Sequence, residues 1–246
     1  ILVESVEALE AAPWVLISGE TNAGKSHLIN QLIPEIELPT ENMPATALCT
    51  VISYGEQLRT FAVDKNKKRT EMTLAKINEY VLQSSREKSA ENLQQIDYME
   101  LEVPNPLLKT VTLVDTPGLN STNTAHTQVT ESFYPNADAA IWVFSGSSGV
   151  NSSTENRDIQ KLRSHGIQVL GVVNKMAIAI EASYNDEPER FDALDYMDVQ
   201  DVLIAEWKQR YEEVGLSELI GIDSKLAQDA QERSEADFDW ADSNFD

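Results

Sequence analysis

Residues 14–30 read WVLISGETNAGKSHLIN: an apolar run, a loop bounded by glycines, and the start of an amphipathic stretch. The loop spells G-x-x-x-x-G-K-[ST], with Gly19, Gly24, Lys25 and Ser26 in the fixed places. A strand before it and a helix after it are the context that this spelling requires. In that setting the backbone N–H groups of Gly19, Glu20, Thr21, Asn22, Ala23, Gly24, Lys25 and Ser26 turn inward on a polyphosphate at a helix N-terminus. The helix dipole also favours negative charge there. Glycine at 19 and 24 removes the Cβ that would hold the backbone off the phosphates. Lys25 supplies positive charge between the β- and γ-phosphates, and the Ser26 hydroxyl is a ligand for Mg²⁺. The competing reading is an ordinary strand-to-helix turn, and the agreement of strand, loop and helix favours the phosphate loop.

Outward from the loop, strands alternate with helices. Residues 1–12 carry Leu2, Val3, Val6 and Leu9 at helical spacing, a lead-in helix stopped by Pro13. Residues 46–55 and 58–64 predict two strands joined at a turn near Gly55, followed by a basic tip, KNKKR, read as a solvated loop. A helix is predicted through residues 74–83, then strands over 96–104, 110–118, 137–145 and 167–175. Ser152 and Glu155 stand at capping-box spacing for the helix before the last of these, and Gly166 can end it. A late helical segment over 186–215 has Pro188 near its start, Gly215 at its end, and Phe191, Leu194, Met197, Leu203, Trp207 and Tyr211 on its apolar face. Strands and helices alternating around near-continuous apolar runs predict an α/β fold, a mainly parallel sheet flanked by helices.

Composition bounds the function. At 246 residues the chain can bury a full core. The formal net charge is −22, and the residues from Glu181 onward carry 20 acidic and 5 basic side chains. Such a surface repels nucleic acid and anionic lipid, and is read as a solvated acidic face rather than a partner site. There is no apolar run near 18 residues and no secretory signal. The single Cys49 excludes an internal disulfide and is compatible with a reducing cytoplasm. His27, His126 and His165 lack metal-ligand spacing, no Cys/His set suggests zinc, and no G-x-S-x-G elbow is present. Trp14, Trp142 and Trp207 fall on apolar faces and are expected in the core. The chain begins without Met and is expected to be a piece of a longer protein.

On a sheet of this kind, ligands sit at the carboxyl ends of the strands, and the remaining motifs fall there. In LVDTPGL, Asp115 ends a strand where a carboxylate can serve the Mg²⁺ shell, and Gly118 offers a backbone N–H to a γ-phosphate. Thr46, in MPATALCT, is either a Mg²⁺ ligand on a loop ordered by the γ-phosphate or a β-favouring residue opening a strand. VVNKMA ends another strand with Asn174 and Lys175, and Ser224 and Lys225 follow in GIDSKLA.

These stretches, with GETNAGKS, MPATALCTVISYG and VDTPGLNSTNTAHTQVTESFYPNADAAIWVFS, resemble the dynamin-like GTPases, especially the bacterial ones. The long separation between the phosphate loop and Asp115 supports that resemblance, since small Ras-like domains have a much shorter segment there. It implies a P-loop GTPase domain enlarged with extra strands over residues 13–230. Residues 231–246 then form either a disordered acidic tail or the start of a missing stalk. It also implies Mg²⁺ and GTP/GDP as ligands, with Asn174, Lys175, Ser224 and Lys225 around the guanine. Asn22 becomes a ligand for K⁺, which would place charge near the reacting phosphates; the alternative is a turn-favouring residue. Leu119 and Asn120 follow Gly118, so no Gln stands ready to orient water. Catalytic roles thus fall on Lys25, Thr46 and Asn22. Self-association through the GTPase domain, a cytoplasmic site peripheral to a membrane, and lipid contact by regions outside this chain follow from the resemblance; nucleic acid is not an expected partner. Two alternatives stay open, a nucleotide-dependent assembly module with little turnover and a signalling GTPase unrelated to membranes. The departure is Ala177, which stands where the family has the Asp that reads guanine; Asp186 or another nearby carboxylate is the candidate replacement.

Overall fold

The computed structural model describes residues 12–38, 48–73, 76, 96–118, 129–147, 153–191, 194–212, 214–216 and 218–224. The lead-in helix, the helix over 74–83, Thr46, Ser152, Lys225 and the acidic tail lie outside the described residues. Nine strands are described: β1 (Trp14–Gly19), β2 (Thr50–Tyr54), β3 (Arg59–Asp64), β4 (Arg69–Glu71), β5 (Ile96–Val103), β6 (Thr112–Asp115), β7 (Ala139–Ser145), β8 (Gln168–Asn174) and β9 (Leu219–Gly221). Five α-helices accompany them among the described residues: α1 (Lys25–Leu32), α2 (Ser153–Ser164), α3 (Met176–Asp186), α4 (Pro188–Phe191) and α5 (Tyr196–Glu212).

The strands form one sheet in the order β4-β3-β5-β2-β6-β1-β7-β8-β9. From β6 through β1, β7 and β8 to β9 every pairing is parallel. The β2–β6, β3–β5 and β3–β4 pairings are antiparallel, and β2–β5 is parallel. The mainly parallel α/β sheet is therefore as the sequence predicts.

Its central strands are continuous apolar runs because both faces are covered. With a side-chain period of two, neighbours divide between two cores. Leu16, Val114, Trp142 and Val173 join Ile159, Leu162, Phe191 and Trp207 on one side. Ile17, Leu113, Val143 and Val172 join Leu28 and Ile29 of α1 on the other. Each fully buried side chain of this kind contributes about 1.5–3 kcal/mol. Trp142 and Trp207 are buried and Trp14 packs against the same core. Glu155, in the first turn of α2, is itself buried. Gly166, at φ 82°, and Gly215, at φ 75°, follow the ends of α2 and α5.

Several elements differ from expectation. The predicted neighbours β2 and β3 do not pair with each other; β5 lies between them, its eight residues long enough to match both. The KNKKR tip is not simply a solvated loop, since Arg69 begins β4 and pairs with Glu100 and Glu102 at 2.5 and 2.6 Å, while Lys67 pairs with Asp97 at 2.7 Å. These cations are matched within the sheet, and exposed pairs add little stability. The late segment is two helices, α4 and α5, rather than one. Met197 is 37% exposed instead of facing the core. Helix α3 and strand β9 were not predicted. Among the described residues no helix is long and apolar enough to cross a membrane.

Candidate functional site

Four adjacent parallel strands end on one edge. Ile17 pairs with Asp115, Gly19 with Val143 and Ser145 with Asn174, so the loops after β1, β6, β7 and β8 leave the sheet side by side. This is the edge where ligands of such sheets bind.

The loop after β1 depends on Gly24. Its φ of 95° lies in the left-handed region, and a Cβ there would collide with the Asn174 amide. Helix α1 begins at the next residue and has no acidic side chain in its own first turn, where the dipole favours negative charge. Lys25 is buried, and its Nζ donates to the carbonyls of Gly19 at 3.1 Å and Glu20 at 2.9 Å. Burial pulls its pKa down, opposed by the negative charges of Asp115 and Glu20.

Asp115 stands opposite. Ser26 donates its Oγ–H to Asp115 Oδ2 at 3.0 Å, while Oδ1 is buried with no hydrogen-bond partner among the described residues. Burial raises this carboxyl to about 6, against the opposing influence of Lys25 and the Ser26 hydroxyl. A buried carboxylate oxygen beside a serine hydroxyl is an oxygen-only donor set and suits a hard cation such as Mg²⁺. Beyond it, Thr116 Oγ1 donates to the Ile17 carbonyl at 2.9 Å and fixes the segment to β1.

Gly118 then passes directly over the phosphate loop. A Cβ on it would lie 2.6 Å from Thr21 Oγ1 and 2.8 Å from Thr21 Cα. Gly118→Ala must push one segment off the other. It is expected to cost about 1–3 kcal/mol of stability, measured as a shift of the urea midpoint, and to lower nucleotide affinity in the same protein.

The far end of the site is built around Asn174, which is fully buried. Its Nδ2 donates to the Ala23 carbonyl at 3.3 Å, and its Oδ1 accepts from Ser224 N at 3.1 Å, Ser224 Oγ at 2.9 Å and Lys175 N at 2.8 Å. Asn174 therefore ties the loop after β1 to the loop after β9. Lys175 is left-handed, at φ 63°, and its Nζ donates to the Asn22 carbonyl at 2.7 Å. Asn22 is also left-handed, at φ 65°, and exposed. Ala177 N–H donates to Asp223 Oδ2 at 3.0 Å.

The structure thus brings together the loop 19–26, Asp115, Gly118, Asn174, Lys175 and Ser224. Thr46 and Lys225 are outside the described residues. Asp223 is the residue that sequence reasoning missed: nothing in GIDSKLA marks it until β9 carries it beside Ala177.

Comparison with known proteins places the chain in a family. The family model described as "Dynamin family" matches residues 15–176. The chain belongs to the dynamin family. Among curated dynamin relatives, the bacterial dynamin-like protein of Nostoc punctiforme is 27% identical over 65% of this chain and 24% of its own length. Dynamin-like protein 2 of Campylobacter jejuni is 33% identical over 58% of this chain and 22% of its own. A solved structure of an oligomerised bacterial dynamin pair shares the fold, with a TM-score of 0.60 and 21% identity over 89% of this chain and 32% of that one. The matches cover less than half the length of these curated dynamin relatives.

Proposed function

We propose that this dynamin-family domain binds GTP with Mg²⁺ and hydrolyses it to GDP and phosphate. The observation that carries the reading is the convergence of Lys25, Ser26 and Asp115 beneath a left-handed Gly24 at the start of α1. In this reading the loop amides and the Lys25 Nζ hold the β- and γ-phosphates. Ser26 Oγ and Asp115 Oδ1 would hold Mg²⁺, with Thr46 as a further ligand. Mg²⁺, when bound, neutralises charge that develops on the β–γ bridging and γ-phosphate oxygens. Gly118 would offer its N–H to the γ-phosphate. Water adds to the γ-phosphorus, the bond to the bridging oxygen breaks, and GDP leaves with that oxygen. Asn174, Lys175, Ser224 and Lys225 frame the base.

Asn22 is proposed as a K⁺ ligand, since no Gln follows Gly118. We further propose that two such domains associate during turnover, and that the longer protein acts at a membrane through regions outside this chain, without nucleic acid. The domain boundaries 13–230 and the lead-in 1–12 belong to the same proposal. Support comes from the shared family and from relatives named as dynamin-like proteins.

The test is phosphate release per molecule across a range of protein concentration, in potassium and then in sodium. Turnover that needs potassium and rises with concentration is expected. Cation-independent turnover removes Asn22 from the mechanism, and turnover flat with concentration removes association. Stoichiometric GTP binding without release would favour an assembly module.

A further inference from the structure

Ala177 leaves the base without the carboxylate that the family resemblance implies, yet a carboxylate is present in that corner of the fold. Strand β9 lies parallel to β8, and just beyond it Ile222 N–H donates to the Val173 carbonyl at 2.8 Å while Met176 N–H donates to the Ile222 carbonyl at 3.2 Å. Two backbone bonds therefore lock residues 222–224 against residues 173–176. Asp223 is held in this clamp, 3% exposed, with Oδ2 accepting from Ala177 N–H at 3.0 Å. The next residue, Ser224, bonds Asn174 through both its N–H and its Oγ.

We propose that Asp223 is the specificity-determining residue of the nucleotide site, accepting from the guanine edge in place of the absent side chain at position 177. The inference rests on the reading of this site as one for GTP. Helix α3 has no acidic residue in its first turn. Asp186, the replacement suggested by sequence, is in its last turn. At 1.5 Å per residue it lies about 14 Å along the helix from Ala177, too far to serve the same base.

The chemistry selects the base. Guanine offers two adjacent donors, N1–H and the 2-amino group, and a carboxylate offers about four acceptor positions, enough to serve them and the Ala177 N–H together. Adenine presents an unprotonated ring nitrogen at the same place, which meets carboxylate lone pairs. A site built to take donors rejects a base that lacks them.

A purely structural role is also physically reasonable, because Ala177 N–H is one of the unsatisfied donors at the start of α3 and any acceptor stabilises it. Asp223→Asn separates the two roles. The amide oxygen still caps Ala177, while the amide nitrogen donates where the carboxylate accepted. Xanthine has a carbonyl where guanine has its 2-amino group, so it suits the amide.

The experiment measures dissociation constants of the full chain for GTP, xanthosine triphosphate and ATP with Mg²⁺, in wild type, Asp223→Asn, and Asp223→Asn combined with Ala177→Asp. Wild type is expected to prefer GTP. Asp223→Asn should weaken GTP binding by about tenfold to a hundredfold and strengthen xanthosine triphosphate binding, and the added Ala177→Asp should restore GTP preference. If wild type prefers GTP and Asp223→Asn changes neither preference, or weakens all three nucleotides alike, the assignment is overturned and Asp223 is a helix cap. If Asp223→Asn does not fold and the double variant folds without preferring GTP, the assignment fails as well. A wild type that binds GTP and ATP equally defeats the GTP reading itself, and this inference with it.

Discussion

Lys25→Met is expected to lower phosphate release from GTP by about a hundredfold or more, the range lost when a single donor to developing charge is removed. The same change should leave the free protein folded. Lys25 is buried, and burial holds its ammonium below its ordinary pKa. At neutral pH the folded state therefore carries that charge at a cost, offset by Asp115, Glu20 and the two loop carbonyls. An unbranched apolar side chain of similar length removes the cost and the function together. Urea unfolding beside a turnover assay checks both halves. A variant that loses activity only because it unfolds would contradict this account of Lys25.

Asp115→Asn is expected to separate stability from turnover even more sharply. The carboxyl rises from 3.8 to about 6 in the folded chain. The native state then binds a proton that the unfolded state has released, so this group contributes less stability as pH climbs through that window. Above about pH 6 the ionised carboxylate costs the folded protein about 3 kcal/mol. Asparagine keeps the shape without the charge. The free variant should exceed wild type in stability at pH 7.5, and that advantage should shrink by about 1–2 kcal/mol at pH 5. Mg²⁺-dependent GTP turnover should fall by at least about a hundredfold, because a neutral amide is a poor partner for a hard dication. Paired urea titrations at the two pH values test the sign. An advantage that grows at pH 5 would show that burial does not hold Asp115 as described.

Such opposition is common where a site stores charge for a ligand, and it explains which parts were legible beforehand. The sheet could be read because apolar strands such as LISG and WVFS alternate with helices, and their apolar residues divide between the two faces. Lys25, Ser26 and Asp115 could be read because backbone approach and charge impose fixed spacing on short segments. Long-range pairing could not. No local pattern says that β5 enters between β2 and β3, since eight alternating residues fit either neighbour. The three-residue β9 is too short for a period to register, yet it delivers Asp223 and Ser224 to Asn174. Met197 was placed inward with its neighbours, but within α5 it stands two residues before the buried Val199 and so falls on the opposite face of the helix. The long-range bonds that join the residues of the base site span 46 to 153 positions, and only the fold reveals such contacts.

The central claim is that the loop 19–26, Asp115 and the Asn174 corner form one GTP-hydrolysing site. Its most direct measurement is the rate of phosphate release from GTP with Mg²⁺ in potassium buffer, with Lys25→Met as the blank. Release well above the blank, abolished by chelating Mg²⁺ and not reproduced with ATP, is the predicted result. Release from wild type no faster than from Lys25→Met, in protein shown to be folded, would contradict it.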